Sequence, residues 1–378
     1  MQNKNSNLHK AKRNKNDEFY TQYDDIEKEI NAYLEFDLNT LKDKVILLPC
    51  DDPEWSNFTR YFVQNFDKLG LKKLISTSYA IDGGLGKIFV LDKNANNNNG
   101  VDTNNLKWEY LKGNGDFRSD EIKALRDESD IIITNPPFSL FREFIDWVFE
   151  IDKKCLILGN MNAITYKNVF PLIKDNKLWF GISKDNGNKE FRVPDNYEIY
   201  ANDFRISDKG TKYIGVKGVK WFTNLDHGFR HQPMQLMTME DNKILNKKVI
   251  KSPIIYQRYD NYDAIEVSYT SAIPSNYIGI MGVPISFLDK YCPDQFEILG
   301  LSQRGCHTLV PDTKKYNDYI EVRQNGEKTG SSWVKVNENP VLEMNNGKNN
   351  YFINKNGHVV QCTYQRIFIK HKKPLAQN

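Results

Sequence analysis

The sequence predicts an α/β fold built on a mostly parallel sheet, and three observations carry that prediction. Lys44-Val45-Ile46-Leu47-Leu48 and Lys73-Leu74-Ile75-Ser76-Thr77-Ser78 are short apolar runs that read as buried strands. Between them Phe58, Tyr61, Phe62, Asn65 and Phe66 recur at helical spacing. Strand, helix, strand in that order implies parallel strands joined by a crossover helix.

The remaining elements follow along the chain. Ile26, Ile30, Tyr33 and Leu34 mark a helix before the first strand, which ends at Pro49-Cys50-Asp51-Asp52-Pro53. Residues 80–112 read as an inserted hairpin and loop, with Asn94 to Gly100 as turn material. Within it, Asp82-Gly83-Gly84-Leu85-Gly86-Lys87-Ile88 has the wrong spacing for a phosphate loop and reads as a glycine-rich hairpin turn. Asp116-Phe117 precede a helix around Ile122 and Leu125. Asp130-Ile131-Ile132-Ile133-Thr134 is a strand, and Phe141, Phe144, Ile145 and Val148 form the buried stripe of the helix after it. Residues 155–160 are a further strand, 163–173 a helix, and 215–223 more strand, ending in Lys220-Trp221-Phe222-Thr223-Asn224. Past about residue 225 the alternation fades into mixed strands and loops. The expected division is a basic flexible tail (1–16), an α/β domain (17–225) and a mixed C-terminal region (226–378).

A length of 378 residues suits one large domain or two. No apolar run is long enough to span a bilayer, and the N-terminus has no signal-peptide core. Cys50, Cys155, Cys292, Cys306 and Cys362 are scattered and odd in number, which points to a reducing cytoplasm rather than a disulfide framework. The histidines His227, His231 and His307 lack metal-ligand spacing, so no metal site is expected. A net charge of +3 identifies no partner by itself. The ends are more basic: Lys4, Lys10, Lys12, Arg13 and Lys15 at one, Arg366, Lys370, His371, Lys372 and Lys373 at the other. Such ends suit phosphates, or are solvated tails.

The most informative residues are Asn135-Pro136-Pro137-Phe138, directly after a strand. Two prolines stop the strand and stiffen the loop, because neither donates to a ladder. A fixed loop at the carboxyl edge of a parallel sheet places the Asn135 side-chain carbonyl beside the Pro136 backbone carbonyl. Those two acceptors match the two hydrogens of an exocyclic amine. Phe138 is placed to stack on the ring that carries the amine. This is the arrangement that amino-methyltransferases use on adenine, on cytosine N4 or on a glutamine amide. In such enzymes a segment like Phe19-Tyr20-Thr21-Gln22 packs over the methionine end of S-adenosylmethionine, where a Thr hydroxyl suits the carboxylate. The loop after the first strand should meet the cofactor as well. It is usually glycine-rich; here it is Cys50-Asp51-Asp52 between prolines. One of Asp51 and Asp52 is expected to bind the cofactor's ammonium and the other to cap the helix near Pro53. Asp116 is expected to accept the adenine amine of the cofactor, with Phe117 against the ring. No ribose ligand is assignable, the nearest acid to the second strand being Asp82.

Several stretches together resemble the EcoRI-type adenine-specific DNA methyltransferases. They are His9 to Lys12, Asp17 to Tyr23, Cys50-Asp51-Asp52-Pro53, Ser56-Asn57-Phe58, Leu69 to Ile75, Lys220 to Asn224 and Met281 to Leu288. The Cys-Asp-Asp-Pro loop is a feature of that family. The resemblance runs through nearly the whole chain and implies a Rossmann-like S-adenosylmethionine-dependent core with a C-terminal DNA-recognition region. It implies transfer to N6 of adenine in duplex DNA, in type II restriction–modification, with a cognate endonuclease left open and a monomer expected. The target base must flip out to be reached. Direct transfer then relies on positioning, with no covalent intermediate. Arg230, Gln232, Arg258, Gln303 and Arg304 are candidates for base reading. The alternatives are the same chemistry on RNA adenine, cytosine N4 or protein glutamine, and a DNA-binding relative that has lost transfer.

Overall fold

The computed structural model describes residues 20–80, 83–94, 106–182, 188–193, 203–252, 254–302, 310, 312–330, 333–343 and 349–374. The basic N-terminal tail, Phe19, Asp82, Gln303, Arg304, Cys306 and His307 lie outside the described residues. The chain divides into two compact units: residues 1–164 with 178–228, and residues 165–177 with 229–378.

The first unit is an α/β layer structure. Helix α1 (Tyr23–Phe36) buries Ile26, Ile30 and Tyr33, the spacing the sequence shows. Strand β1 (Val45–Leu48) is followed by helix α2 (Asn57–Gln64) and strand β2 (Lys73–Thr77). The sheet continues antiparallel into β3 (Lys87–Asp92) and β4 (Glu109–Tyr110), so the expected hairpin is an edge extension of the main sheet. Helix α3 (Asp120–Glu128) starts at Ser119, whose hydroxyl accepts from Ile122 N. Strand β5 (Ile131–Thr134) leads through a short 3-10 turn (Phe138–Leu140) into helix α4 (Phe141–Phe149). Strands β6 (Lys154–Asn160) and β7 (Trp179–Phe180) are joined in space by β11 (Val219–Thr223), which runs antiparallel to both.

The resulting order is β4-β3-β2-β1-β5-β6-β11-β7. Strands β2, β1, β5 and β6 are mutually parallel, and only β3 and β11 oppose the common direction. Parallel strands covered on both faces should be near-continuously apolar, and β1 and β5 are buried at every position. Behind the sheet the buried Arg126 of α3 donates to Trp147 O at 2.7 Å and to Glu150 at 2.7 Å, tying α3 to α4.

Two elements differ from the sequence reading. The run 215–223 is two strands in two sheets: β10 (Lys212–Lys217) and β11, parted at Gly218, whose φ is +78°. Strand β10 sits between β8 (Asn188–Arg192) and β9 (Phe204–Ile206) in a separate three-stranded sheet. The run 163–173 is also interrupted. A 3-10 turn covers Met161–Thr165, and the α-helix begins only at Phe170 with Pro171 in its first turn, where a missing N–H costs nothing.

The second unit holds two four-stranded sheets, β12-β13-β19-β14 and β15-β17-β18-β16. Here β12 is Ile265–Glu266, β13 Met281–Val283, β14 Phe296–Leu301 and β15 Ile320–Val322; β16 is Val341–Leu342, β17 Tyr351–Ile353, β18 Val359–Cys362 and β19 Ile367–His371. Its core contains a buried ion pair, Arg366 to Glu266 through two guanidinium nitrogens at 3.0 and 2.7 Å. Asn261 stitches the unit with three bonds, to Val336 O, Asn339 O and Val341 N. No helix among the described residues is long and apolar enough to cross a membrane.

Near the end of β2 three backbone segments converge so tightly that two glycines are required. A Cβ on Gly86 would stand 2.4 Å from Ser78 O, and one on Gly115 would stand 2.1 Å from the same oxygen. Gly115 also has φ +80°, a region L residues avoid. Gly83 shares that φ but has nothing within 4 Å of the added carbon. Gly83→Ala should therefore cost about 1 kcal/mol, from backbone strain alone. Gly115→Ala should cost at least about 1–3 kcal/mol more, as overpacking adds to strain. Urea unfolding of the two variants measures the difference, and equal losses would refute the close approach.

Candidate active site

The loop after β1 centres on Asp51, which is almost completely buried at 5% exposure. All four of its polar groups are engaged. Its N–H donates to Thr77 O at 2.9 Å and its carbonyl accepts from Ser76 Oγ at 2.6 Å, fixing it to the end of β2. Carboxylate oxygen Oδ1 accepts from Ser56 Oγ at 2.7 Å, and Oδ2 accepts from Thr134 Oγ1 at 2.6 Å. Thr134 is the last residue of β5 and immediately precedes Asn135. The β1–β5 ladder pairs Ile46 with Ile131 and Leu47 with Ile132. The chain moves from β1 outward to β2 on one side and returns to β5 on the other, and ligands of open α/β sheets bind where the order reverses.

Asp52 serves a different purpose. Its Oδ1 accepts from Glu54 N at 2.9 Å and its carboxylate meets Lys87 at 3.1 Å. The helix cap falls to neither aspartate. Ser56 caps α2 by accepting from Phe58 N, because Pro53 to Trp55 form a turn and the helix starts at Asn57. Asp52, Ser78, Tyr79 and Lys87 line a cleft of about 450 Å³ at the carboxyl end of β2.

Tyr20 and Thr21 lie beside this loop. Tyr20 pairs with Arg192 of β8 through two backbone bonds, and its ring packs at a tilt against Trp55 with centroids 4.1 Å apart. Thr21 O accepts from Asn57 Nδ2 at 2.7 Å. The Thr21 hydroxyl and Gln22 Nε2 are buried and have no hydrogen-bond partner among the described residues.

Asn135 is half-buried, Pro136 buried and Pro137 half-buried. Pro137 O accepts from Leu140 N at 2.9 Å, which closes the turn. Phe138 is only 8% exposed and belongs to the core, its ring edge-on to Phe191 at 6.4 Å. Asp116 and Phe117 already have partners within the fold. The Asp116 carboxylate is held in a two-pronged pair with Arg118 at 2.9 and 2.7 Å, and Arg118 also reaches Glu143 at 2.9 Å. Phe117 packs against Phe144 and Trp147 in the helix layer, with centroids at 5.2 and 5.6 Å.

The electrostatics follow from these contacts. Burial pushes the Asp51 carboxyl up to about 7, and the Asp52 charge adds to the rise, against the Thr134 and Ser56 hydrogen bonds that favour the anion. Burial, then the Asp51 charge, raises the Cys50 thiol far above its ordinary value, so it is no nucleophile. The Arg118 hydrogen bonds hold Asp116 below the usual carboxylate range. Cys50, Cys155, Cys292 and Cys362 are free thiols.

Spacing in the sequence missed one convergence in the second unit. Asp260, Glu343 and His358 bring ligand atoms within 4.8 Å of one another. Lys314 at 2.9 Å and Tyr316 at 2.6 Å already hold Asp260, and His358 bonds Glu343 at 2.7 Å and Tyr319 at 2.5 Å. Arg230, a candidate base reader, is buried and donates to Asn176. Arg258 is exposed and pairs with Asp263.

A sheet whose β1 and β5 ends carry a buried acid loop and an Asn-Pro-Pro-Phe turn defines an α/β methyltransferase. The chain belongs to the family described as adenine-specific methyltransferase EcoRI, whose model matches residues 7–372. It is 44% identical over 309 residues to the Type II methyltransferase M.EcoRI of Escherichia coli, covering 77% of this chain and 88% of that one. It is 36% identical over 316 residues to the Type II methyltransferase M.MpnI of Mycoplasma pneumoniae, covering 83% and 90%. A third relative, the Type II methyltransferase M.MgeORF184P of Mycoplasma genitalium, is 35% identical over 320 residues, covering 84% and 92%. No solved structure matches the chain significantly.

Because the folded Asp51 carboxyl binds its proton more tightly than an unfolded one near 3.9, its contribution to stability is present at low pH. That contribution is lost as pH rises through about 7. Asp51→Asn carries no such proton, so its stability should fall less between pH 5 and pH 8 than that of the unaltered chain. Chemical unfolding at the two pH values measures this; an unchanged difference would show that Asp51 is not the titrating group.

Proposed function

We propose that the chain methylates N6 of an adenine flipped out of duplex DNA, with S-adenosylmethionine as the methyl donor and a Rossmann-like first unit as the catalytic domain. Membership of the family makes it a site-specific adenine methyltransferase of the type II restriction–modification class. The observation that carries the site assignment is the Asp51–Thr134 bond, which joins the acid loop of β1 to the residue before Asn135.

The chain's residues fit the methionine end of the donor. The Thr21 hydroxyl and Gln22 amide nitrogen are buried donors awaiting an acceptor such as a carboxylate. The acids at 51 and 52 suit an ammonium group. When bound, S-adenosylmethionine supplies an electrophilic methyl group. Asn135 Oδ1 and the Pro136 carbonyl accept the two hydrogens of the adenine amine and localise its lone pair toward that methyl group. The paired prolines keep the two acceptors fixed, so positioning supplies most of the rate. Stacking of Phe138 on the flipped base requires its ring to leave the Phe191 edge contact, and the base would then replace buried contacts with π-stacking.

The second unit is the proposed target-recognition region. Lys243, Lys247, Lys248 and Lys251 are all exposed in residues 239–251, a charge run suited to phosphates. Such contacts favour duplex DNA over a protein glutamine.

Asn135→Ala should lower turnover by roughly 100-fold or more, the cost of losing an aligned contact, while S-adenosylmethionine binding stays largely intact. Long-read sequencing with modified-base detection, on DNA from a methylation-free host expressing either form, tests the whole reading. The expected result is N6-methyladenine at one short motif, absent with Asn135→Ala. Unmodified DNA from the unaltered chain would move the substrate to RNA or protein.

A further inference from the structure

Asn135 is two-sided in the chain: the turn that follows it is rigid, and the residue before it is fixed by a side chain from the loop after β1. Thr134 is fully buried, and its hydroxyl reaches Asp51 Oδ2 at 2.6 Å. The ladder between β1 and β5 gives pairs at Ile46–Ile131 and Leu47–Ile132, and beyond it this side-chain bond ties the end of β5 to the loop after β1. The other carboxylate oxygen takes Ser56 Oγ at 2.7 Å, and the same hydroxyl caps α2 at Phe58 N. One rigid carboxylate therefore touches both the loop assigned to the cofactor and the strand end assigned to the amine. Its backbone is clamped to β2 at 2.9 and 2.6 Å, so it has little freedom to yield to one side without moving the other.

From this geometry we infer that Thr134 is a positioning residue, through which occupancy of the cofactor loop at Asp51 sets the placement of Asn135 and couples cofactor binding to base capture. This rests on the roles proposed above for Asp51 and Asn135. A ligand cation drawn to the carboxylate changes the charge that Thr134 and Ser56 share, and the Thr134 bond carries the change to the end of β5. Binding coupling is reciprocal, so DNA must tighten the cofactor site by the same factor as the cofactor tightens DNA.

The test uses the full chain, S-adenosylhomocysteine, and a duplex with 2-aminopurine in place of the methylated adenine. The expected result is that the duplex tightens S-adenosylhomocysteine binding by at least about 5-fold in the unaltered chain. Thr134→Val, which keeps the shape and removes the hydroxyl, should bring that factor close to one and lower kcat. It should leave the affinity for S-adenosylhomocysteine alone, and the KM for DNA, much less changed. Thr134→Ser, which keeps the hydroxyl, should restore the coupling and the 2-aminopurine signal. Unchanged coupling in Thr134→Val, or no coupling in the unaltered chain, overturns the inference. Equal loss in both threonine variants overturns it too, since that assigns the effect to packing. If Thr134→Val does not fold, Asp51→Asn serves instead: full coupling in that variant also overturns it. Methylation by the unaltered chain and its loss in Asn135→Ala are scored separately, so the reading of the site survives or fails on its own.

Discussion

A buried carboxylate that no cation neutralises among the described residues is the constraint around which the first unit is built. Taking an anion out of water costs several kcal/mol unless its lone pairs are satisfied. The Asp51 carboxylate meets that cost with two hydroxyls, Ser56 and Thr134, while its backbone N–H donates to Thr77 O and its backbone carbonyl accepts from Ser76 Oγ. Each partner comes from a different element: the start of α2, the end of β5 and the end of β2. The three elements must reach their places together for all of these bonds to form. The carboxylate thus fixes the gap between β1 and β5 at the point where strand order reverses, which is where an α/β sheet has room for a ligand.

The second unit solves the same problem in another way. Glu266 is also buried, but Arg366 meets it with two nitrogens and Ser268 adds a third bond at 2.8 Å. That pair is closed, and breaking one partner would strand a buried charge at a cost of about 3–5 kcal/mol. Its role is to hold β12 to the strand that begins at Ile367. The contrast is informative: a structural acid is matched with a cation, whereas the Asp51 carboxyl is matched with hydroxyls alone and titrates near neutral pH.

Much of this was legible in the sequence where the signal was local. The runs Val45–Leu48 and Ile131–Thr134 are buried strands because continuous apolar character is what two-sided burial demands. Asn135-Pro136-Pro137 announced a stiff turn through proline chemistry alone. What escaped depends on the three-dimensional neighbour. Nothing local says that Ser56 rather than an aspartate caps α2, since all three are good caps. Asp116 looks available in the sequence, and only folding reveals that Arg118, two residues on, grips it with both prongs. Phe138 is core here because Phe191, more than fifty residues later, comes to its edge. Gly218 is one glycine among 22, yet it sends a run that reads as one strand into two sheets.

These long-range contacts share a direction. Strand β8 carries Phe191 on its buried face, against Phe138, and Arg192 next to it pairs with Tyr20. Tyr20 in turn lies on Trp55, in the turn that Ser56 ends, and Ser56 is bonded to Asp51. The chain of contacts therefore closes on itself: aromatic edge, strand pair, tilted ring contact, cap, carboxylate, threonine, and back to the residue beside Asn135. A ring of mutually dependent contacts resists local distortion better than the same contacts in a line, since no member can shift without opposing two neighbours. Transfer to a weakly nucleophilic amine depends on alignment more than on any reactive side chain, and small misplacements are costly. The small sheet inserted between β7 and β11 thus has a physical reason to be there: it completes the ring that holds the Asn135-Pro136-Pro137-Phe138 turn in place.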